Sequence, residues 1–478
     1  MSTVVANPRD NAEERVCNKL NVPDLLKVDC ITQAPNLQYI DSREVQPVVS
    51  TESFCRFVIP KVGIMNPSAR IIVPVKFSLD TDRYFLPLEL GISTLVSRVV
   101  LKCAGRTISD ISSYNHYQSF INNIIKPEYK YLVGSVKHGM IGKWRNMPNQ
   151  ASLGSGDYNR QNGINYDSEF EADIPTNDIS LDGSLNLVND LEFQMDLGSL
   201  VPCLSGFSLP MYAIEDQVEL EIYWNTDHKK NYVFGRGSTA ADATVKPDVA
   251  GVNLVADFVL YNNDIMDKLL KTNFSSFSLP FSYDYNLIQK TLTKDGNDIR
   301  TVMDLGGASR YVKGIILQFE NNEETQANYQ DSNLGYFRSM AQQSGNTNNI
   351  NIKVNGANLF PVDLKNDAEI ASHLNNWALS SMYINRGEYN LKQVNYLNNL
   401  TVEGHDTSTN TKGNAGNKQY MYFDISRLVN NRGIELSFSR SGASEEKNII
   451  LRCWVVVHKI VVCSGGRFNQ TYNLLNPK

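Results

Sequence analysis

The chain has no CxxC pair. Its seven cysteines lie at positions 17, 30, 55, 103, 203, 453 and 463, and the closest two, Cys453 and Cys463, are still 10 residues apart. That spacing excludes a zinc ribbon or a thioredoxin-like motif, and the odd count argues against a disulfide framework. Basic residues are also in short supply: 45 Lys and Arg face 51 Asp and Glu, for a formal net charge of -6. A protein that mainly grips nucleic acid needs a basic excess on at least one face, so no specific nucleic-acid binding is expected. Long apolar runs are missing too. The longest, residues 449–463, is broken by Arg452, His458 and Lys459 and is too short and too charged to span a bilayer. The first thirty residues alternate charges around no apolar stretch, so no secretory signal peptide is expected. These absences together predict a soluble chain made in a reducing compartment.

What remains is β texture. Hydrophobic residues make up 42% of the 478 positions, with 23 Tyr and 19 Phe, enough for a sizeable core. Segments 70–79, 96–103, 218–224, 311–319 and 449–463 are rich in Val, Ile, Phe and Tyr, and Gly-, Asn-, Asp- and Ser-rich stretches separate them. In 218–224, Leu220, Ile222 and Trp224 share one face and Glu219 and Glu221 the other, the pattern of a half-buried strand. Helical spacing occurs twice, over 112–125 and 367–379. Long polar loops are expected over 140–190, 321–349 and 404–418.

The two halves of the chain echo one another. Val99–Ile108 resembles Ile350–Leu359, each a strand, a Gly-containing turn and a second short strand, and each precedes one of the two helices. Ala69-Arg70 before one apolar strand matches Ser309-Arg310 before another, and Asp196-Leu197 matches Asp424-Ile425. Four landmarks in one order predict an internal repeat. The fold class that follows is all-β: a duplicated β-sandwich with short helices and long loops. The expected division is an N-terminal arm over 1–30, a first sandwich over 31–226 and a linker over 227–252. A second sandwich follows over 253–466, with a C-terminal tail over 467–478.

No catalytic motif is present: there is no P-loop, HExxH or GxSxG. The six His are scattered, and His116 and His373, though equivalently placed in the two helices, read as packing residues. The stretch 235–240 formally fits GxGxxA but lacks the strand before it and the helix after it. Glu215, Asp216, Glu219 and Glu221 could supply a glycosidase-like carboxylate pair, yet an outward strand face explains them without chemistry. Asp80 with Asp82, and Asp295 with Asp298, lack the ligand density of a calcium loop. Sequons begin at Asn273, Asn399 and Asn469 and are expected to be unused. No catalytic, cofactor-binding or metal site, and no cofactor, is therefore expected.

A tandem pair of sandwiches, each with a helix after an early hairpin, resembles the double jelly-roll major capsid proteins of DNA viruses. The stretch 200–212 running into 218–224, with its Leu-Pro turn, is similar to the end of their first jelly roll. The pattern 252–261, 264–270 and 277–281 is similar to the start of their second. The length looks most like the virophage and polinton-like virus group. The resemblance implies that the sandwiches over 31–226 and 253–466 are two tandem eight-stranded jelly rolls, and that homotrimers form pseudo-hexagonal capsomers that tile an icosahedral virion shell around double-stranded DNA. It also implies neighbouring capsomers, penton and minor capsid proteins as partners, and assembly inside an infected host cell. The alternative is a lectin-like or receptor-binding carbohydrate-binding β-sandwich; a carbohydrate-active enzyme would need a convergent site the sequence does not show.

Overall fold

The computed structural model describes residues 38–77, 84–85, 91–124, 192–226, 233–234, 245–280, 282–293, 295, 298–306, 310–321, 347–363, 420–425, 433–441 and 449–472. The expected N-terminal arm, the helix over 367–379 and the loops over 140–190 and 404–418 lie outside these residues. So do Asp80, Asp82, His373, the 235–240 motif, the sequon at Asn399 and nearly all of the 321–349 loop.

Eight strands build the first sandwich: β1 (Gln38–Val45), β2 (Phe54–Val58), β3 (Arg70–Phe77), β4 (Val96–Cys103), β5 (Arg106–Ser112), β6 (Glu192–Asp196), β7 (Val218–Trp224) and β8 (Asn253–Tyr261). Helix α1 (Tyr114–Ile124) follows β5, and α2 (Asn263–Thr272) follows β8. One sheet runs β1-β8-β3-β6 and the other β2-β7-β4-β5. The second sandwich uses β9 (Tyr283–Leu292), β10 (Ile299–Gly306), β11 (Val312–Asn321), β12 (Thr347–Val354), β13 (Ala357–Asn358), β14 (Tyr420–Asp424), β15 (Ile434–Ser441) and β16 (Ile449–Ser464), and β17 (Arg467–Tyr472) folds back on β16. Its sheets run β9-β16-β11-β14 and β10-β15-β12-β13. Each order is the first sandwich's order with eight added to every strand number. The chain is a duplicated jelly roll.

Two of the expected equivalences fall on described residues, and both hold. Val99–Ile108 and Ile350–Leu359 both fall on a hairpin, β4–β5 and β12–β13. Each is closed by two residues at positive φ: Ala104 (49°) with Gly105 (76°), and Asn355 (57°) with Gly356 (79°). That is the geometry of a type I′ turn, whose twist matches the flanking strands. Asp196 and Asp424 both end the strand that pairs at the start of β3 or β11.

The expected domain boundary is corrected. Residues 253–261, assigned above to the second jelly roll, form β8, which lies between β1 and β3 with Leu254, Ala256 and Phe258 buried. A jelly roll returns its last strand to the middle of its first sheet, so the apolar 218–224 strand is the seventh, not the closing one. Within the expected linker, Val245–Pro247 pairs back onto β3. The sandwiches are connected through α2 and through Ser276–Ser278, which pairs with β16. Arg467–Tyr472, expected as tail, is paired strand.

Candidate assembly surface

The two sandwiches meet edge to edge. β5, the end of one sheet of the first sandwich, pairs in parallel with β9, the first strand of the second, at Ile111 and Tyr285. The result is one continuous sheet of eleven strands. Side chains reinforce this joint from above. The indole Nε1 of Trp454 donates to the Ser112 carbonyl at 3.0 Å. Tyr117 of α1 sets its ring edge-on against Tyr285 (5.1 Å between centroids) and Trp454 (6.2 Å). Edge-to-face rings at such separations add stabilisation beyond their buried area.

A second set of contacts pins the β16–β17 hairpin to the first sandwich. Arg106 Nη1 donates to the Phe468 carbonyl at 3.5 Å, Gln470 Nε2 donates to Thr107, and the Glu215 N–H donates to the Gly466 carbonyl at 2.9 Å. Phe277 bridges Phe207 and Phe468 at 6.1 and 6.0 Å. Next to β9, the ammonium of Lys459 is buried and holds Asp284 Oδ1 at 2.5 Å.

The carboxylates weighed in the sequence do not converge on a site. Glu221, expected on a solvated face, is instead buried, with Lys102 Nζ 2.7 Å from its Oε2 and the Tyr223 hydroxyl donating to the same oxygen at 3.1 Å. Glu215 stands at the joint with Arg467 at 3.7 Å. Asp295 and Asp298 exchange backbone hydrogen bonds with each other, and Asp298 holds Arg300 at 2.9 Å. His116 is buried in α1. Asn273 and Asn469 are exposed. Among the described residues no three His, Cys, Asp or Glu side chains form a group able to hold a metal, and no helix is long and apolar enough to cross a membrane. The five described cysteines are free and buried.

The surface that remains is open sheet edge. The joint uses one β5-type edge and one β1-type edge; their counterparts in the other sandwich, β13 and β1, each pair on one side only among the described residues. β1 is exposed over most of its length, and Tyr39 (62%) and Ile40 (57%) project from opposite faces of it. Tyr39 lies across from Leu260, and Ile40 across from Val259. Exposed apolar residues on an open edge strand mark a place where another chain pairs. This feature escapes sequence reading, because β1 looks like any alternating polar strand until its neighbour is known.

Solved structures share this architecture. The Sputnik virophage determined by cryo-EM aligns with a TM-score of 0.53 at 10% identity, over 92% of this chain and 91% of that one. The mavirus major capsid protein aligns at 0.52 and 11%, over 95% of both chains. VP54 of the virus PBCV-1, fitted into a reconstruction of Sputnik, aligns at 0.51 and 10%, over 91% of this chain and 97% of that one. No family model and no curated protein matches the sequence. At such low identity the likeness is one of fold, and the fold is the double jelly roll.

Proposed function

We propose that this chain is a major capsid protein whose trimers form pseudo-hexagonal capsomers of an icosahedral virion shell around double-stranded DNA. The observation that carries the reading is the internal joint. Each chain contains one filled β5–β9 junction, and among the described residues the equivalent halves of a second one, β13 and β1, each lack a partner on their outer side. Repeating that junction between copies gives a head-to-tail interface, which closes into a ring when the rotation allows. Three chains then place six similar sandwiches about one axis, the shape that fills a hexagonal lattice. By register, Tyr285 on β9 corresponds to Glu44 on β1, and the exposed Tyr39 and Ile40 lie farther along the same edge. Neighbouring capsomers, penton proteins and minor capsid proteins are the partners such a tile requires. The virophage and mavirus neighbours support this reading, and the lectin-like alternative gains no support from them.

Light scattering on the purified chain tests it. The expected mass is three times the 53.7 kDa protomer. Tyr39→Asp should release folded monomers, because it puts a charge on the exposed apolar stretch of the edge that a neighbour would cover. A wild-type chain that is monomeric at micromolar concentration overturns the capsomer.

A further inference from the structure

Among the described residues the second sandwich has another open edge, and its charges are self-complementary about the middle residue. Along β10, Ile299, Thr301, Met303 and Leu305 point into the core while Arg300, Val302 and Asp304 are exposed. β10 pairs with β15 on one side, and among the described residues no strand covers the other. Its counterpart in the first sandwich, β2, has that side covered by Val49–Ser50. Natural edges are usually blunted by proline, lysine or a covering segment. β10 carries neither residue, and Val302 at its centre is 58% exposed.

The charges beside Val302 ask for a partner. Asp304 lies directly across from Glu435 on β15, a like-charge neighbour, and like charges directly opposite are destabilising. Lys353 is engaged with Glu435 at 3.3 Å, while among the described residues Asp304 accepts the N–H of Gly306, at 2.8 Å, and no cation. Arg300 holds Asp298 at 2.9 Å with its side chain 77% exposed, a surface pair of the kind that contributes little and re-pairs readily.

We propose that this edge is a second self-association surface, on which β10 of a second copy seats antiparallel about a two-fold axis through Val302. In that register Val302 faces Val302 of the second copy, covering both. Arg300 faces Asp304 of the second copy on one side of the axis, and Asp304 faces its Arg300 on the other. The four-stranded sheet becomes eight-stranded across the axis. This contact does not depend on the β1 contact: one is two-fold and like-to-like, the other head-to-tail. In a shell it would join one ring of sandwiches to the next.

Cross-linking on the full chain is the test. Directly opposite residues in an antiparallel pair bring their Cβ atoms within about 5.5 Å, so Val302→Cys should form a disulfide-linked dimer on mild oxidation. Arg300→Cys, whose copies would lie four residues out of register, should not. Arg300→Asp and Asp304→Arg should each weaken association about tenfold, since each turns two attractive pairs into repulsive ones. The combined R300D/D304R variant should restore it. In a Tyr39→Asp background the Val302→Cys cross-link should persist, doubling whatever unit remains. No cross-link at position 302 in either background, or equal cross-linking at 300, overturns this contact and leaves the trimer standing. A cross-link without a trimer overturns the trimer alone.

Discussion

At the scale of single residues, the polar groups that matter are those the fold has buried. Lys459 and Asp284 are unequal partners: the lysine side chain is 1% exposed and the carboxylate 21%. Removing Asp284 strands an ammonium with no water, so Asp284→Ala should cost about 3–5 kcal/mol in urea denaturation. Lys459→Met should cost clearly less, because the carboxylate left behind can still reach solvent. Equal costs would show that burial asymmetry does not govern the pair. The cysteines give a pH test. Burial pushes the thiols of Cys55, Cys103 and Cys203 from an ordinary 9.0 up to about 12. The folded state therefore keeps protons that the unfolded chain releases. Stability from these groups is complete below pH 9 and is lost as pH rises towards 12. A thiol reagent at pH 8 should label the described cysteines only after denaturant is added, and midpoints should fall above pH 9. Fast labelling of the native protein would contradict this. The alternation of Leu220, Ile222 and Trp224 against Glu219 and Glu221 is readable from sequence alone. The burial of Glu221 is not, because Lys102 is 119 residues away and only the β4–β7 pairing brings them together.

At the scale of elements, the hairpins were legible because their chemistry is local. Lys353-Val354-Asn355-Gly356 places Asn and Gly where a type I′ turn needs positive φ, and Ala104-Gly105 does so less comfortably. Ala104 holds φ at 49° without a residue suited to it. Ala104→Asn should gain about 0.5–1 kcal/mol by easing left-handed strain. Gly356→Ala should lose about 1 kcal/mol from backbone strain alone, since a Cβ there meets nothing within 4 Å. Gly466→Ala should lose more, because its Cβ would lie 2.5 Å from Glu215 Cγ and 2.9 Å from the Glu215 nitrogen, forcing the inter-sandwich joint apart. Thermal melts that rank Gly356→Ala as the more damaging change would refute this account of the joint. Two elements were not legible as such. β8 alternates Leu254, Ala256 and Phe258 well enough to be a strand, but nothing local says it pairs with β1, as at Ser42 and Asp257, 215 positions apart. Helix α2 carries ordinary signals, with Asn262 as its N-cap, Asp264 in the first turn and Lys271 in the last, yet so short an amphipathic run is easily passed over.

At the scale of the whole molecule, duplication was readable and geometry was not. Repeated landmarks reveal two sandwiches, but not that a sheet of one continues into a sheet of the other, because a single parallel bridge at Ile111 and Tyr285 leaves no periodic trace. That bridge decides how the molecule behaves. Domains joined by a modest interface usually move and unfold separately. Here a continuous sheet, the Trp454–Ser112 hydrogen bond, the Tyr117 ring contacts and the β17 hairpin all cross the joint. Each half therefore completes a surface that the other would leave as bare edge and buried aromatic face. Calorimetry should show one cooperative transition for both sandwiches, not two. Tyr117 is the place to cut, since it belongs to the first sandwich and sets its ring against Tyr285 and Trp454 of the second. Truncating a fully buried aromatic costs about 3–5 kcal/mol, and at Tyr117 much of that loss falls on the coupling between halves. Tyr117→Ala should broaden the transition or split it in two, with the fluorescence of Trp454 separating from the main heat absorption. A wild-type melt that already shows two independent peaks would mean that the shared sheet joins the sandwiches without making them one folding unit.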